Sequence, residues 1–189
     1  LKEQHLDSPH RYLTEKFNIN IGDSVADIGV AEGIFSLSII EKSSKVYLFE
    51  PDLEWIEALN YTFKPWKSKV QIISKFVSNQ SNVLNNIKLD DFFNLQSRSI
   101  DFIKVDVDGG EKKLLEGSNG ILSNNKNIKI AICTYHNQSD AEEFEQFFTN
   151  KRFDVEFSEG FMLFLYDNNF APPYFRKGVI RAEKNYLSY

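Results

Sequence analysis

The stretch from Ser24 to Pro51 constrains the fold more than any other part of the chain. Its sequence, SVADIGVAEGIFSLSIIEKSSKVYLFEP, predicts a buried strand at 24–28, a glycine-bearing turn at 29–33, a helix at 34–41 and a second strand at 45–50. This order is typical of the first half of a doubly wound α/β sheet. Such sheets bind their ligand at the carboxyl ends of the strands, so we expect the site there.

Alternating strands and helices continue along the rest of the chain. The further predicted strands are 70–74, 100–107, 128–133, 153–157 and 161–166, and the further predicted helices are 11–17, 52–63, 89–95, one from about 111 and one from about 140. The last two strands are separated by Ser158-Glu159-Gly160, which is the spacing of a hairpin. The predicted fold is therefore a doubly wound, Rossmann-like α/β sheet that is mostly parallel, with an antiparallel C-terminal hairpin strand.

Length and composition fit one globular domain. The chain has 189 residues, of which 42% are hydrophobic and 26% are charged, which is ordinary for a compact protein. We predict a single domain over 1–189, with an N-terminal cap or lid at 1–23, a core at 24–166 and a C-terminal extension at 167–189. Within the first segment, His10-Arg11-Tyr12 is predicted to be a surface cap on the sheet, with a lid that contacts ligand as the alternative.

Charge and cysteine content exclude several classes of protein. The net charge of −5 gives no basic footprint, so we expect neither nucleic acid nor a membrane as a partner. The single Cys133 excludes an internal disulfide framework, and without a signal peptide the expected location is cytoplasmic. No apolar run approaches about 18 residues, so no membrane span is expected. The sequence leaves the oligomeric state open.

The glycine turn discriminates among nucleotide-type ligands. Asp27, Gly29 and Gly33 form D-x-G-x-x-x-G instead of the G-x-G-x-x-G pattern that holds a pyrophosphate. A phosphate requires free helix N-terminal amides, whereas S-adenosylmethionine carries a sulfonium and an ammonium that Asp27 and Glu32 would attract. Glu50 ends the second strand, where such folds place an acid on ribose hydroxyls. We therefore expect S-adenosylmethionine here; a structural turn and a solvated strand-end acid are the alternatives.

A second group of acids follows the fourth predicted strand. Because side chains alternate along an extended chain, Asp106 and Asp108 point to one side, and Glu111 opens the next helix, where its charge is stabilised. Crowding of three carboxylates should raise the pKa of at least one, which suits a general base. His136, just past the fifth strand, could take a proton from an acceptor hydroxyl or ligate a metal. The structural alternatives are a plain helix-start acid for Glu111 and a turn residue for Asp108.

Four motifs resemble those of the FkbM-type methyltransferase family. They are VADIGVAEGIFSL, VYLFEPD, IKLDDFF and IDFIKVDVDGGEKKLLEG, and the resemblance runs from about Val25 to Tyr166. It implies a class I methyltransferase sheet, S-adenosylmethionine as the methyl donor and, most often, O-methylation of a hydroxyl on a sugar or another small molecule. The chain departs from the family pattern at Asp108, where the family usually has Glu, and at 30–32, where A-N-x is frequent.

These motifs define the predicted site. The predicted cofactor residues are Asp27, Gly29, Ala31, Glu32, Gly33, Glu50, Pro51, Phe76, Val77 and Asp106. The predicted catalytic residues are Asp106, Asp108, Glu111 and His136, acting on a small-molecule or glycan acceptor. A divalent metal held by Asp106, Asp108 and His136 is a variant in which the ion lowers the pKa of the acceptor hydroxyl.

Two other functions stay open. Asp106-x-Asp108 is also the D-x-D pattern of a metal-dependent glycosyltransferase, although that function leaves the glycine turn and Glu50 without a role. A non-catalytic module that binds S-adenosylmethionine is the second alternative. A dehydrogenase is disfavoured because the phosphate-binding glycine pattern is missing.

Overall fold

The computed structural model describes residues 4–82, 84–96, 99–165 and 171–184. Within these ranges the strands are β1 (Ser24–Ile28), β2 (Lys45–Phe49), β3 (Val70–Ile73), β4 (Phe76–Val77), β5 (Asn86–Ile87), β6 (Phe102–Val105), β7 (Lys129–Cys133), β8 (Asp154–Phe157), β9 (Met162–Leu163), β10 (Phe175–Arg176) and β11 (Val179–Glu183). The α-helices are α1 (Ile34–Ile39), α2 (Leu53–Thr62), α3 (Leu89–Gln96), α4 (Glu111–Glu116), α5 (Asn119–Asn124) and α6 (Asp140–Asn150), and a 3₁₀ turn covers Lys64–Trp66. None of these helices is long and apolar enough to cross a membrane.

Seven of the strands form one sheet in the order β3-β2-β1-β6-β7-β11-β8. The strands from β3 to β7 in this order pair in parallel, and β11 runs antiparallel between β7 and β8. The order reverses between β1 and β6, which is the point where doubly wound sheets open a crevice for ligand. The predicted Rossmann-like fold class, mostly parallel with an antiparallel strand near the C-terminus, is confirmed.

The pairing of the C-terminal strands differs from the predicted hairpin. β8 pairs with β11 at the edge of the main sheet, whereas β9 pairs with β10 in a separate two-stranded sheet. β11 is hydrogen-bonded along both edges and is almost fully buried between the layers that cover the two faces of the sheet, whereas Phe161, Leu163 and Leu165 are exposed. β11 therefore enters the main sheet from the segment predicted to be an extension. Tyr166, the predicted end of the strand at 161–166, lies outside the described residues, and a single domain stays a prediction.

Two predicted helices are also wrong. The segment 11–17 is not helical; Tyr12 and Phe17 are buried against the sheet, and the side chain of Arg181 binds backbone carbonyls of the segment. The helix predicted from about residue 111 is divided into α4 and α5 at Gly117. A Cβ atom at Gly117 would lie 2.0 Å from the carbonyl oxygen of Ser78, so the chain approaches a neighbouring backbone there and turns.

Both faces of the main sheet are covered by helices and rings. α3, α4, α5 and α6 cover one face, where the fully buried rings include Tyr47, Phe144 and Phe148. α1, α2 and the N-terminal segment 12–19 cover the other face, where Phe35 stacks on Phe102 at 6.1 Å between ring centroids. Each such ring contributes about 1.5–3 kcal/mol on burial. The layers leave the carboxyl ends of the parallel strands as the open edge.

The turn after β1 depends on Gly29. Its φ angle is 74°, in the left-handed region that favours glycine. A Cβ atom at this position would lie 1.7 Å from the carbonyl oxygen of Asp106. The backbones that follow β1 and β6 therefore approach one another more closely than any side chain allows.

We expect Gly29→Ala to destabilise the fold by about 3 kcal/mol or more, because the new methyl group meets backbone that cannot yield. Gly22→Ala is the matched control: Gly22 also has a positive φ, 94°, but a Cβ atom added there would have nothing within 4 Å. The control should cost only about 1 kcal/mol for the left-handed backbone. Urea unfolding of both variants measures the difference, and equal losses would show that the close approach is not tight.

Candidate active site

A cavity of 790 Å³ lies at the carboxyl ends of the parallel strands. This volume is in the range of pockets that bind small molecules and cofactors. The predicted site residues that line it are Gly29, Ala31, Glu50, Pro51, Phe76, Val77, Asp106 and Asp108. The lining also includes Trp55, Lys75 and Tyr135, which the sequence prediction did not include. The cavity thus lies where the strand pattern placed the ligand crevice.

Two backbone amides hold the carboxylate of Glu50 at one end of the cavity. The amide of Ala31 donates to Oε2 and the amide of Asp52 donates to Oε1, each at 3.0 Å. Each carboxylate oxygen has a second lone pair that remains available to a hydroxyl donor. The amide in the glycine turn that could have bound a phosphate is therefore already used by an acid of the protein.

Asp27 makes contacts other than the predicted ones. Its side chain is fully buried, lies outside the cavity lining and forms an ion pair with Lys104, Oδ1 to Nζ at 3.0 Å. The hydroxyl of Ser36 donates to its Oδ2 at 2.7 Å. Lys104 also donates to the carbonyl oxygen of Gly29. Burial opposes the charge of Lys104, but Asp27 and Asp106 outweigh it and raise the pKa of the amine. Asp27 therefore fixes the glycine turn through Lys104.

Two more predicted cofactor residues lie outside the cavity lining. Glu32 is exposed to solvent beside the turn. Gly33 has a φ of 76°, and a Cβ atom there would lie 2.9 Å from the ring of Phe63 and 3.0 Å from Leu59. Close packing of the turn against α2 explains this second glycine, and a cofactor contact for either residue stays a prediction.

Asp106 is the centre of a hydrogen-bond cluster at the other end of the cavity. Tyr12 donates its hydroxyl to Oδ2 at 2.9 Å, and the Nε2 atom of His10 lies 3.1 Å from the same oxygen. Tyr135 donates its hydroxyl to Oδ1 at 3.2 Å. Burial alone would raise the pKa of Asp106, but the hydrogen bond from His10 and the positive charge of Lys104 hold it well below its ordinary value. Burial raises the pKa of both tyrosines, which therefore remain donors.

The prediction that His10-Arg11-Tyr12 is only a surface cap is wrong. His10 is 7% exposed and Tyr12 is 3% exposed, and both contact Asp106. The sequence signal was an imidazole and a phenol close together in a segment that is otherwise polar. No local pattern in that segment identifies Asp106 as their partner, because Tyr12 and His10 precede Asp106 by 94 and 96 positions in the chain.

The four predicted catalytic residues do come together. The Nδ1 atom of His136 lies 2.7 Å from Oε1 of Glu111, and its Nε2 atom lies 3.4 Å from Asp108 and 3.6 Å from Asp106. Glu111 is 1% exposed, so it is more than a helix-start acid, and its Oε1 also accepts the amide of Val107 at 3.2 Å. The Asp108 side chain is 96% exposed, on a backbone with a φ of 48°.

The shifted pKa values differ from the expectation for crowded acids. The pKa of Asp106 falls instead of rising, because positive groups and donors surround its carboxylate. The raised value belongs to His136: burial would lower its pKa, but the hydrogen bond to Glu111 and the charges of Glu111, Asp106 and Asp108 raise it. The cluster therefore contains an imidazole that holds its proton more firmly than usual.

The predicted metal set is not the one the geometry groups. Among the described residues, Asp106, Glu111 and His136 offer ligand atoms that all lie within 4.8 Å of one another, so Glu111 takes the place predicted for Asp108. The contact of 2.7 Å between Glu111 and His136 is an ion pair when the imidazole carries its second proton. Hydrogen bonds and ion pairs account for this cluster, and the metal variant stays a prediction.

A family model described as the methyltransferase FkbM domain matches residues 75–159, which include the Asp106 to Glu111 acids and His136. This match covers less than half of the 189 residues, and over those residues the chain is similar to the FkbM-type methyltransferase family. A search of curated proteins finds no significant match to this chain.

Several solved structures have the same fold as this chain. A methyltransferase FkbM from Methylobacillus flagellatus KT superposes with a TM-score of 0.71 at 17% identity, over 87% of this chain and 44% of that chain. An rRNA methylase from Streptococcus thermophilus gives 0.59 at 15% identity, over 88% and 89%. TrmK from M. capricolum, in complex with S-adenosyl-homocysteine, gives 0.56 at 16% identity, over 93% and 70%. This chain thus spans less than half the length of the M. flagellatus protein.

The prediction that excludes nucleic acid as a partner is wrong. Two proteins that have the same fold as this chain are described as methylases of ribosomal RNA. They are an rRNA methylase from S. thermophilus and a putative rRNA-methylase from Clostridium thermocellum. A net charge of −5 describes the whole chain, whereas binding depends on the potential of one surface. Net charge therefore does not decide the class of acceptor.

We expect Lys104→Met to destabilise the fold by about 3–5 kcal/mol, because the substitution leaves the carboxylate of Asp27 buried without its cationic partner. Lys112→Met is the control: Lys112 lies 2.7 Å from Glu143 in an ion pair whose side chains are 66% and 42% exposed. The control should unfold at an unchanged urea midpoint, since solvent screens such pairs. Similar midpoints for the two variants would mean that the buried pair does not hold the turn.

Proposed function

We propose that this chain is an S-adenosylmethionine-dependent methyltransferase that methylates a hydroxyl of a sugar or another small molecule, with the cytoplasm as its predicted location. The observation that carries the proposal is the distribution of acids around the cavity. Glu50 lies at one end, Asp106 and Asp108 lie at the other, and Glu50 already binds the amide of Ala31 in the glycine turn. A phosphate would be repelled there, whereas a ligand with hydroxyls and positive charge is complementary.

The residues present fit S-adenosylmethionine. The oriented carboxylate of Glu50 can accept two ribose hydroxyls, and the rings of Trp55 and Phe76, 36% and 56% exposed, can cover a purine beside it. The ionised Asp106 faces the place of a sulfonium or ammonium at the far end. The bound product S-adenosyl-homocysteine in M. capricolum TrmK, which shares the fold, supports the same ligand class.

In this proposal Asp106 supplies a fixed negative charge in the lining of the cavity. When bound, the cofactor supplies a methyl group on a positively charged sulfur. Both oxygens of Asp106 already accept hydrogen bonds from protein donors, and its pKa is lowered, so it is a poor proton acceptor. Its preorganised charge instead stabilises a cation without reorganisation.

Asp108 is the base in the proposed mechanism. Its carboxylate is exposed at the cavity, so it can accept the hydrogen bond of an incoming hydroxyl and remove the proton as the oxygen–carbon bond forms. His136, 3.4 Å away, orients Asp108, and Glu111 orients His136 through Nδ1. The remaining requirement is alignment of the acceptor oxygen with the methyl group and the sulfur.

The metal-dependent glycosyltransferase is less consistent with this geometry. A D-x-D pair must turn both carboxylates to one cation. Asp106 is enclosed by protein donors, whereas Asp108 projects into solvent at a side-chain exposure of 96%. The two carboxylates therefore have different environments and different tasks.

The cofactor proposal is tested by calorimetry with S-adenosylhomocysteine and with NAD⁺. We expect binding of the former alone, weakened about 10- to 100-fold in Glu50→Ala because hydrogen bonds to a charged group are lost. Glu54→Ala, which removes an exposed acid in the first turn of α2, should bind like the unchanged protein. Preferential binding of NAD⁺, or full affinity in Glu50→Ala, would contradict the assignment.

The acceptor and the base are tested together by transfer of a tritiated methyl group into fractionated cell extract. We expect label in a small-molecule or glycan fraction and a kcat about 10²- to 10⁴-fold lower for Asp108→Asn, which cannot take the proton. Asp154, one of the exposed acids on β8, provides the control: Asp154→Asn should be fully active.

Three results would change the proposal. Label in RNA would assign a nucleic-acid acceptor instead. Normal turnover by Asp108→Asn would remove Asp108 as the base. Binding of S-adenosylhomocysteine without transfer to any fraction would favour a non-catalytic module.

A further inference from the structure

The side chains around Asp106 and Asp108 are carried by two segments without regular structure. Tyr135 and His136 follow the end of β7, and His10 and Tyr12 belong to the N-terminal segment. Such backbone has no ladder of hydrogen bonds to set its position. The placement of these side chains must therefore come from contacts made by other parts of the chain.

Arg176, on β10, holds the segment after β7. Its Nη1 atom donates to the carbonyl oxygens of Tyr135 and His136, both at 2.8 Å, and the residue is 4% exposed. β9 and β10 form the separate two-stranded sheet, called the small sheet below. Phe164, directly after β9, packs on the rings of Tyr135 and His136, with centroid distances of 5.6 Å and 5.2 Å. The small sheet therefore contacts this segment through its backbone and through its side chains.

Arg181, on β11, makes the same kind of contact with the N-terminal segment. Its Nη2 atom donates to the carbonyl of Arg11 at 2.7 Å and its Nε atom donates to the carbonyl of Tyr12 at 3.1 Å. It is 5% exposed. Tyr12 binds Oδ2 of Asp106 and Tyr135 binds Oδ1, so the two arginines support opposite oxygens of one carboxylate.

We propose that Arg176 and Arg181 are positioning residues, which set the two segments that orient Asp106, Asp108 and His136 for the acceptor. Neither arginine lines the cavity, so each acts through the residues that it holds. A guanidinium suits this task because its N–H donors lie in one fixed plane: Arg176 binds two consecutive carbonyls through Nη1 alone, and Arg181 binds two through Nε and Nη2. A lysine ammonium has no such fixed orientation of its donors. The consequence for catalysis rests on the proposed methyl transfer; the positioning itself does not.

The protein contains three histidines, which makes the positioning measurable without any substrate. His10 reports on the segment held by Arg181, His136 reports on the segment held by Arg176, and His5, whose side chain is 67% exposed, serves as the internal reference. The charged groups that face His136 are Glu111 from α4, Asp106 and Asp108 from the end of β6, and Asp140 from α6.

The experiment compares the ring signals of the three histidines by NMR at one fixed pH. In Arg176→Met we expect the His136 signals to shift, because the backbone that Arg176 holds moves away from Glu111, while the His10 signals stay in place. In Arg181→Met we expect the His10 signals to shift while the His136 signals stay in place. Glu111→Gln should shift the His136 signals directly, and Lys177→Met, next to Arg176 in the chain, should change neither histidine.

The same variants are then compared in cofactor binding and methyl transfer. Arg176→Met should bind S-adenosylhomocysteine within about twofold of the unchanged protein but lose about 10- to 100-fold in kcat through misplacement of the acceptor side. If Arg176→Met does not fold, Arg176→Lys carries the test, since it keeps the charge without the planar donors of the guanidinium. Identical His136 ring signals in Arg176→Met and Lys177→Met would overturn the positioning role. Absence of cofactor binding in the unchanged protein would overturn the proposed function alone.

Discussion

The ion pair between Asp27 and Lys104 is the contact on which the site depends. The two residues are register partners on β1 and β6, at the point where the strand order reverses, and both are buried. Burying two charges is costly, and it is offset here because Ser36 binds the second oxygen of Asp27 and Gly29 accepts from Lys104. The pair therefore does more than join two strands. It fixes the glycine turn and brings a positive charge to Asp106, so one contact organises the backbone near Glu50 and the carboxylate of Asp106, both of which line the cavity.

Each acid at the cavity has a different set of partners, and the partners determine what it can do. Glu50 is held by backbone amides, Asp106 by hydroxyls and an imidazole, and Glu111 by His136. These three carboxylates are oriented before any ligand arrives, which favours binding and electrostatic stabilisation. Asp108 differs, since it projects from a left-handed turn into the open end of the cavity. In the proposed mechanism, Asp108 is therefore the acid that meets an incoming hydroxyl, because its side chain is almost fully exposed.

Local patterns predicted the parts of this site that are local. The strand, turn and acid of Ser24–Pro51, the cavity at the strand ends and the grouping of Asp106, Asp108, Glu111 and His136 all follow from periodicity and from parallel strands ending at one edge. The contacts that sequence reasoning missed join distant positions: Arg181 and Tyr12 are 169 residues apart. No alternation or turn motif encodes such a pair. The predicted hairpin is wrong for a related reason: the spacing shows that two strands can pair, but it does not show that a later strand, β11, pairs with β8 while β9 pairs with β10.

The distribution of charge also explains why composition misled the expectation about nucleic acid. Asp27, Glu50 and Glu111 are at most 6% exposed, and Asp27 is neutralised by a buried lysine. Among the described residues, four buried acids are matched by four buried cations, so the net charge of −5 is carried by the rest of the chain. The potential of one part of the surface depends on how those charges are distributed, and the total does not show that distribution. In the proposed function, an acceptor would meet the exposed carboxylate of Asp108 and the small sheet beside His136, where Phe161, Leu163 and Phe175 are exposed. The shape and polarity of that surface, and not the total charge, would then select the acceptor.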